Sequence, residues 1–400
     1  MLFIDLDNFK RINDLHGHTV GDTVLCRVAK RLAHCFPNEL KVRQGGDEFI
    51  VLSNRPFDSK LEAHCRRFLE ELARPIQGGG HEFSIRASIG VATAPQHGSG
   101  LDELLRRADM AMYEAKRLHT GVFHYTDQLE ARNERTEMIE RALQGALDRN
   151  EFHLAYQPQV NARDHSVIGF EALLRWRHPE LGMVPPDQFI PVAETMGLMR
   201  DLGRFVVRTA LREIPPLLRK SSLQKKTRIA VNVSASRLFD ERFLKELETH
   251  CHRFTTAGLE LVVEITESIF IEDMDLARRL LEGLRKAGIV ISLDDFGTGY
   301  SSLSTLSKLP ISELKIDKGF VRHIASDSRD HRLILSIIGL GRGLGIPVLA
   351  EGVETERQVE MLINSGCERF QGYYFSPPLA PDALADFLSR PIPCGGTLVD

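Results

Sequence analysis

Ile289-Val-Ile-Ser-Leu-Asp-Asp-Phe-Gly-Thr-Gly-Tyr300 is the stretch on which the reading of this chain turns. Ile289, Val290, Ile291 and Leu293 make a short β-branched run, too short for a helix and apolar enough for a fully buried strand. The run ends in two adjacent carboxylates, Asp294 and Asp295, and a Gly-x-Gly turn follows at once. In α/β sheets and barrels, chemistry collects where strands end and loops begin. Two acids side by side there repel each other and lose solvation, so a cation is their natural partner. Asp-Asp alone is more often a capping Asp followed by a turn, by roughly two to one. Acids at other strand ends in the same half of the chain tip the reading toward a site.

Outward from that stretch, strand-like runs fall at 152–157, 167–174, 229–233, 261–265, 289–294, 313–316, 348–350 and 369–375. Helical spacing separates most of them, as at 241–254, 274–287, 332–344 and 354–364. About eight such alternations in roughly 250 residues have the size and rhythm of a (β/α)8 TIM-like barrel. Polar residues interrupt the strand ends: Glu171, Asn232, Glu264, Glu267, Asp294, Asp295, Lys315, Glu351 and Gln371. A buried ionised group is costly unless paired or bound to metal. One alone is usually a cap or an ion pair, but this many on successive strands converge at one barrel mouth. Carboxylates with an amide oxygen, and neither His nor Cys among them, suit magnesium or manganese rather than zinc. Two such ions can activate a water and stabilise charge on a phosphoryl oxygen, which is equipment for hydrolysing a phosphodiester. His153, His178, His250 and His252 show no ligand spacing and read as surface or packing residues.

Composition sets the outer bounds. Four hundred residues exceed one usual domain, and 42% hydrophobic with 26% charged residues is ordinary for a soluble globular protein. A net charge of −4 gives no reason to expect a nucleic-acid polymer as partner. The six cysteines contain no C-x-x-C pair, which suits a reducing cytoplasm and argues against a thiolate zinc site. No apolar run approaches membrane-spanning length. The chain begins inside a strand-like run, Leu2-Phe-Ile-Asp5, as expected of a piece of a longer protein whose upstream part would carry any membrane anchor.

The first third reads as a smaller mixed α/β domain. Strands are expected at 1–6, 84–91 and 122–125, with a hairpin over 41–52 turning at Gly45-Gly46, and helices at 22–35, 61–73 and 101–118. Asp5, Asp47 and Glu48 could together hold divalent ions against the phosphates of a nucleotide, or be solvated hairpin acids. From Asp127 to Arg149 the chain is charged and helix-friendly, with a partial apolar stripe. Its first half reads as a connecting helix and its second as the first helix of the next domain.

Asp5-Leu-Asp-Asn-Phe-Lys-Arg-Ile-Asn-Asp14, Gly17-His18, Gly21-Asp22 and Arg43-Gln-Gly-Gly-Asp-Glu-Phe49 resemble the GGDEF diguanylate cyclase family. Ala87-Ser-Ile-Gly-Val-Ala92 and Ala108-Asp-Met-Ala-Met-Tyr-Glu-Ala-Lys116 continue the likeness. The resemblance implies a palm-type, nucleotide-cyclase-like α+β fold. It implies magnesium at Asp5, Asp47 and Glu48, guanine read by Asn13 and Asp22, and Lys10 and Lys116 at the phosphates of GTP. Three departures stand out. The helix and Asp-x-Leu-Thr signature of the family do not precede the first strand. Thr120 replaces a basic residue, and Phe36-Pro-Asn-Glu39 stands where the product-inhibition Arg-x-x-Asp is usual. Nucleotide binding is therefore expected more than cyclase turnover.

Glu171-Ala-Leu-Leu-Arg-Trp176 is similar to the signature of the EAL phosphodiesterase family, which cleaves cyclic di-GMP to the linear dinucleotide pGpG. Asn232, Glu264-Ile-Thr-Glu267, Asp294-Asp-Phe-Gly-Thr-Gly-Tyr-Ser-Ser302, Lys315-Ile-Asp317, Glu351-Gly-Val-Glu354 and Gln371-Gly-Tyr373 extend the match. By this resemblance Glu171, Asn232, Glu264 and Asp294 would hold one metal, and Asp294 and Asp295 the second, with Glu351 nearby. Lys315 would orient or deprotonate the attacking water. Gln157, Arg175 and Gln371 would contact the substrate, Arg175 at a phosphate. Glu267 would steady the loop 296–302, which in the family leads to a homodimer contact. The expected division is a GGDEF domain over 1–126, a connecting helix over 127–137, an EAL domain over 138–392 and a loose tail over 393–400.

Overall fold

The computed structural model describes residues 1–55, 57–219, 227–267, 274–297, 306, 308–325 and 328–389. The tail 393–400 and residues 298–302 of the loop expected to lean on Glu267 lie outside the described residues. Two compact units divide the chain, Met1–Met138 and Ile139–Asp400. Among the described residues no helix is long and apolar enough to cross a membrane.

In the first unit β1 (Leu2–Leu6) is the middle strand of five. It lies between β3 (Glu48–Leu52) and β6 (Ala87–Val91), antiparallel to both, with β2 (Leu40–Gly45) and β7 (Val122–His124) at the edges. Strand alternation divides its side chains between two cores. Leu2, Ile4 and Leu6 join Val24, Val28, Leu32, Phe68 and Leu72 of the helices α2 (His18–Cys35) and α3 (Ser59–Ala73). Phe3 joins Ala108 and Met112 of α4 (Leu101–Leu118) on the other face. There α4 comes so near β6 that a Cβ on Gly90 would lie 1.9 Å from Ala108 O. The hairpin over 41–52 forms, turning at Gly46-Asp47 with Gly46 at φ 47°. Two features depart from expectation. Phe9–His16 forms a helix, α1, that Lys10-Arg11 and Asn13-Asp14 disguise as a polar loop. The strand expected from Ser84 starts at Ala87, after a short hairpin of β4 (Ile76–Gly78) and β5 (His81–Phe83).

A helix, α5 (Asp127–Leu143), carries the chain across the division between units. Ile139 and Leu143 are buried with Trp176 and Phe189 in a satellite core of the second unit.

The second unit is an eight-stranded barrel. Its strands are β8 (Phe152–Asn161), β9 (Val167–His178), β11 (Thr227–Asn232), β12 (Leu259–Thr266), β13 (Val290–Phe296), β14 (Glu313–Ile316), β15 (Val348–Ala350) and β16 (Arg369–Gln371); β10 (Gly182–Val184) is an addition on β9. From β9 to β16 every barrel pairing is parallel. β8 is the exception to an all-parallel TIM barrel, because it runs antiparallel to both β9 and β16 and closes the ring between them. The reason lies in the connection. Only 162–166 join β8 to β9, too few for a crossover, so the pair is a hairpin. Its turn is fastened by Asn161 Oδ1 accepting from Arg163 N at 2.8 Å and Asp164 Oδ1 accepting from Ser166 N at 3.0 Å.

At the strand starts, Arg228 grips the fully buried Glu313 with two parallel bonds of 2.8 and 2.9 Å. Arg369 and the Ser292 hydroxyl complete the set around that carboxylate. The polar residues of the site gather at the opposite, carboxyl ends of the parallel strands, where loops can vary without disturbing the barrel.

Candidate active site

β13 delivers Asp294 and Asp295 to the barrel mouth. Neighbours in a regular strand point to opposite faces, so a flat strand would separate the two acids. Here the register with β14 breaks between Leu293 and Phe296, and Asp295 adopts φ 52°, in the left-handed region. The kink lets Asp294, Asp295 and Glu351 offer carboxylate oxygens that all lie within 4.8 Å of one another. It is the one such group of three among the described residues. Asp295 N also donates to Asp294 Oδ1 at 3.0 Å, and Asp317 is near enough to help raise the Asp295 carboxyl.

Lys315, from β14, stands at the centre with no solvent exposure. Its Nζ lies 2.5 Å from Glu351, 2.9 Å from Glu264, 3.1 Å from Asp294 and 3.8 Å from Glu171. The contacts are close but poorly directed. Neither oxygen of the buried Glu264 has a partner in hydrogen-bonding geometry among the described residues. Glu171 is better served: Asn232 Nδ2 donates to its Oε1 at 2.7 Å and Gln371 Nε2 to its Oε2 at 2.5 Å. Register explains the meeting, since Asn232 pairs with Glu264 and Gln157 with Glu171 on adjoining strands.

Five carboxylates thus face one ammonium, and the titration behaviour follows from that imbalance. Burial disfavours charge on Lys315, but Glu171, Glu264, Glu351 and Asp294 outweigh it and hold the amine well above its usual range. Burial, then the neighbouring acids, push the Glu264 carboxyl far up, Glu351 to about 8 and Asp295 to about 6. Burial also works against ionised Glu171, but Lys315 and its two amide donors hold it below the usual range. A dry pocket with surplus negative charge, a buried Glu264 whose oxygens receive no well-directed hydrogen bond among the described residues, and an all-oxygen donor set fits a hard divalent cation.

The other expected residues lie close by. Arg175 is half-buried, its guanidinium donating to Leu174 O at 3.0 Å and within electrostatic reach of Glu171 and Tyr373. Gln157 and Gln371 are buried and bonded to each other, Gln371 Nε2 to Gln157 Oε1 at 3.1 Å. Glu267 Oε1 accepts from Gly297 N at 3.0 Å, at the start of the loop after β13. Two residues at the site carry no role in the motif reading. Asp317 was visible in Lys315-Ile-Asp317, and Gln159 lies two places after Gln157 on the same strand face.

In the first unit Lys10, Asn13, Asp22 and Asp47 line one cavity of about 380 Å³, with Phe9, His18, Leu25, Arg43 and Gly46. Gly21 makes this possible, since a Cβ there would lie 1.9 Å from Asn13 Oδ1. Lys116 lies elsewhere: its Nζ binds Asp5 Oδ1 at 2.5 Å. Asp5 and Glu48 pair across β1 and β3, but Asp5, Asp47 and Glu48 do not close into one coordination-sized group. Burial and then Asp109, Asp47 and Asp5 raise the Glu48 carboxyl, so acids outnumber the one ammonium, Lys116, that meets them in this corner.

Family models match twice, "EAL domain" over residues 140–378 and "Diguanylate cyclase, GGDEF domain" over 1–121. The chain is 39% identical over 386 residues to "Bifunctional diguanylate cyclase/cyclic di-GMP phosphodiesterase MucR" of Pseudomonas aeruginosa, covering 96% of this chain and 56% of that protein. It is 36% identical over 392 residues to "Cyclic di-GMP phosphodiesterase PdeR" of Escherichia coli, covering 98% and 59%. The chain therefore spans little more than half the length of these relatives. Among solved structures, "PaMucR Phosphodiesterase, c-di-GMP complex" is 40% identical with a TM-score of 0.57, over 62% of this chain and 99% of that one. "Structure of EAL Enzyme Bd1971 - cGMP bound form" is 28% identical with a TM-score of 0.60, over 78% and 84%. On these matches and on the acid-ringed lysine at the barrel mouth, the chain belongs to the EAL domain family and carries a GGDEF domain in tandem before it.

Proposed function

We propose that the barrel hydrolyses cyclic di-GMP to linear pGpG and that the GGDEF unit binds GTP and adjusts that activity. The carrying observation is the buried Lys315 ammonium ringed by four carboxylates, with Asp294, Asp295 and Glu351 converging beside it. Such a donor set would hold magnesium or manganese: Glu171, Asn232, Glu264 and Asp294 at one position, Asp294, Asp295 and Glu351 at the other. Bound there, divalent ions lower the pKa of water and offset charge on a phosphoryl oxygen. The chain's own residues supply the rest. Lys315 donates to the oxygen that attacks or to the phosphate, and the low-dielectric pocket magnifies its charge. Arg175 presents a planar fork to a phosphate at the mouth. Gln157 and Gln371 would contact the nucleotide by exchanging the hydrogen bond they make with each other here, and Glu267 anchors Gly297 where the loop leaves β13.

The cavity lined by Lys10, Asn13 and Asp22 supports guanine-nucleotide binding in the first unit. The Lys116–Asp5 bond and the unclosed acids favour a regulator over a cyclase. The proposed protein is a homodimer through the EAL domain, cytoplasmic or the cytosolic part of a longer membrane-anchored sensor, with the domain boundary inside α5. The test is incubation of the purified chain with cyclic di-GMP and Mn2+, then with GTP alone. pGpG from the first supports the reading, and Glu171→Ala should abolish it while the fold persists. Cyclic dinucleotide from GTP would establish a bifunctional enzyme instead, and tight binding without turnover a receptor.

A further inference from the structure

Beneath the acid cluster, toward the closed end of the barrel, lies an amide that the mechanism above leaves unused. Gln159 of β8 has no solvent exposure, and its Nε2 donates to Gln371 Oε1 at 3.0 Å. Gln371 in turn aims its own Nε2 at Glu171 Oε2, 2.5 Å away, and at Gln157 Oε1, 3.1 Å away. Gln157 passes its Nε2 to Ser376 O at 3.2 Å. The donors therefore run one way, from Gln159 to Gln371, and from Gln371 to Glu171 and Gln157. Reversing the Gln371 amide would set its oxygen against the Glu171 carboxylate and its NH2 against the NH2 of Gln159.

We propose that Gln159 is a positioning residue for the Glu171 carboxylate, acting through Gln371. The antiparallel β8 makes this possible. Gln157 and Gln159 share one face of the strand, and Gln159 pairs in register with Gly169 on β9 and with Gln371 on β16, the strands that carry the two groups it serves. Burying an amide here has a cost, because Gln159 Oε1 has no hydrogen-bond partner among the described residues. An apolar side chain would avoid that cost but would leave Gln371 Oε1 orphaned instead. The bond to Gln371 is the one directed contact that distinguishes glutamine from leucine or methionine at this place. Groups that orient a metal-ligating side chain from behind are worth about 10–100-fold in metal affinity.

The inference rests on the metal-dependent phosphodiesterase reading, and the test separates the two. Mn2+ is titrated calorimetrically into the nucleotide-free full chain, wild type, Gln159→Met and Gln159→Leu, with Trp176 fluorescence as the check on barrel folding. Hydrolysis of cyclic di-GMP is followed in parallel. The expected result is a folded Gln159→Met chain binding Mn2+ roughly three- to tenfold more weakly, less than the about 10–100-fold of a group that touches the ligand itself. At saturating Mn2+ its kcat should fall while KM for cyclic di-GMP changes less than threefold. Gln371→Met should lower Mn2+ affinity as well, and adding Gln159→Met to it should cost little more, because both act along one line. Gln159→Leu is the second variant should methionine disturb folding. Wild-type Mn2+ affinity in either folded variant, with the wild type hydrolysing normally, overturns the positioning role alone. A wild-type chain that neither binds Mn2+ nor hydrolyses the dinucleotide overturns the functional reading and this inference with it.

Discussion

Replacing Lys315 by methionine removes the one positive charge that the described residues place inside the acid cluster, while keeping the volume of the side chain. At an effective dielectric of about 20, unit charges about 3 Å apart attract by roughly 5–6 kcal/mol. Lys315 has three such partners at 2.5, 2.9 and 3.1 Å. Most of that attraction is offset by desolvation, and removing one member of a buried ion pair typically costs about 3–5 kcal/mol. Some of the loss is relieved because Glu264 and Glu351, already raised by burial and by neighbouring acids, can take up protons. Lys315→Met should therefore lower the barrel's stability by about 3 kcal/mol in EDTA. For a unit this size that is a fall in Tm of roughly 10 °C. The chain has one tryptophan, Trp176, buried in the second unit against Phe152, so its fluorescence reports on the barrel alone. Millimolar Mn2+ should restore more stability to the variant than to the wild type, since the ion then meets acids that no ammonium screens. Hydrolysis should fall by at least about a hundredfold, as for loss of one preorganised donor. An unchanged Tm in EDTA together with wild-type turnover would refute the electrostatic argument at its root.

Three further outcomes follow from other parts of the fold. Arg228→Met strips the bidentate partner from the fully buried Glu313 and should cost about 3 kcal/mol in urea unfolding followed through Trp176; a loss under about 1 kcal/mol would mean that Arg369 and Ser292 suffice. Glu130 accepts from the Tyr125 hydroxyl and from Arg106, which holds its carboxyl down at about 2. A depressed acid contributes stability that is present above its unfolded pKa, near 4.5, and is lost as pH falls toward 2. The calorimetric Tm gap between wild type and Glu130→Gln in the first unit should thus narrow between pH 5 and about pH 2, and a gap independent of pH would contradict the assignment. Gly372→Ala would place a Cβ 2.1 Å from Val353 O, a backbone atom that cannot step aside. It should displace Gln371 and reduce hydrolysis with a stability loss of about 1–3 kcal/mol, whereas wild-type behaviour in both would show that the turn is loose.

The barrel was legible because its strands announce themselves twice, by short β-branched runs and by the polar residues that end or interrupt them. Glu171, Asn232, Glu264, Lys315 and Glu351 could be picked out because nothing else in an apolar run explains them. What could not be read was direction and geometry. The reversed β8 depends on a short turn whose Asn161 and Asp164 bonds are visible only in space. Asp294 and Asp295 would diverge in a regular strand, and the left-handed Asp295 that reunites them is set by pairing with β14, not by local preference. Gln159 looks like a second copy of Gln157 until β16 is laid beside it. In the first unit, α1 hid behind its charged residues, and the partner of Lys116 is decided by how closely α4 lies on β6 and β1.

The central claim is that the ring of oxygens around Lys315 is a seat for divalent cations over a nucleotide phosphate. Crystals soaked in Mn2+ and measured at the manganese absorption edge test it most directly. The account predicts anomalous peaks bounded by Glu171, Asn232, Glu264 and Asp294 and by Asp294, Asp295 and Glu351. A well-ordered barrel mouth with no manganese peak at either place would contradict it.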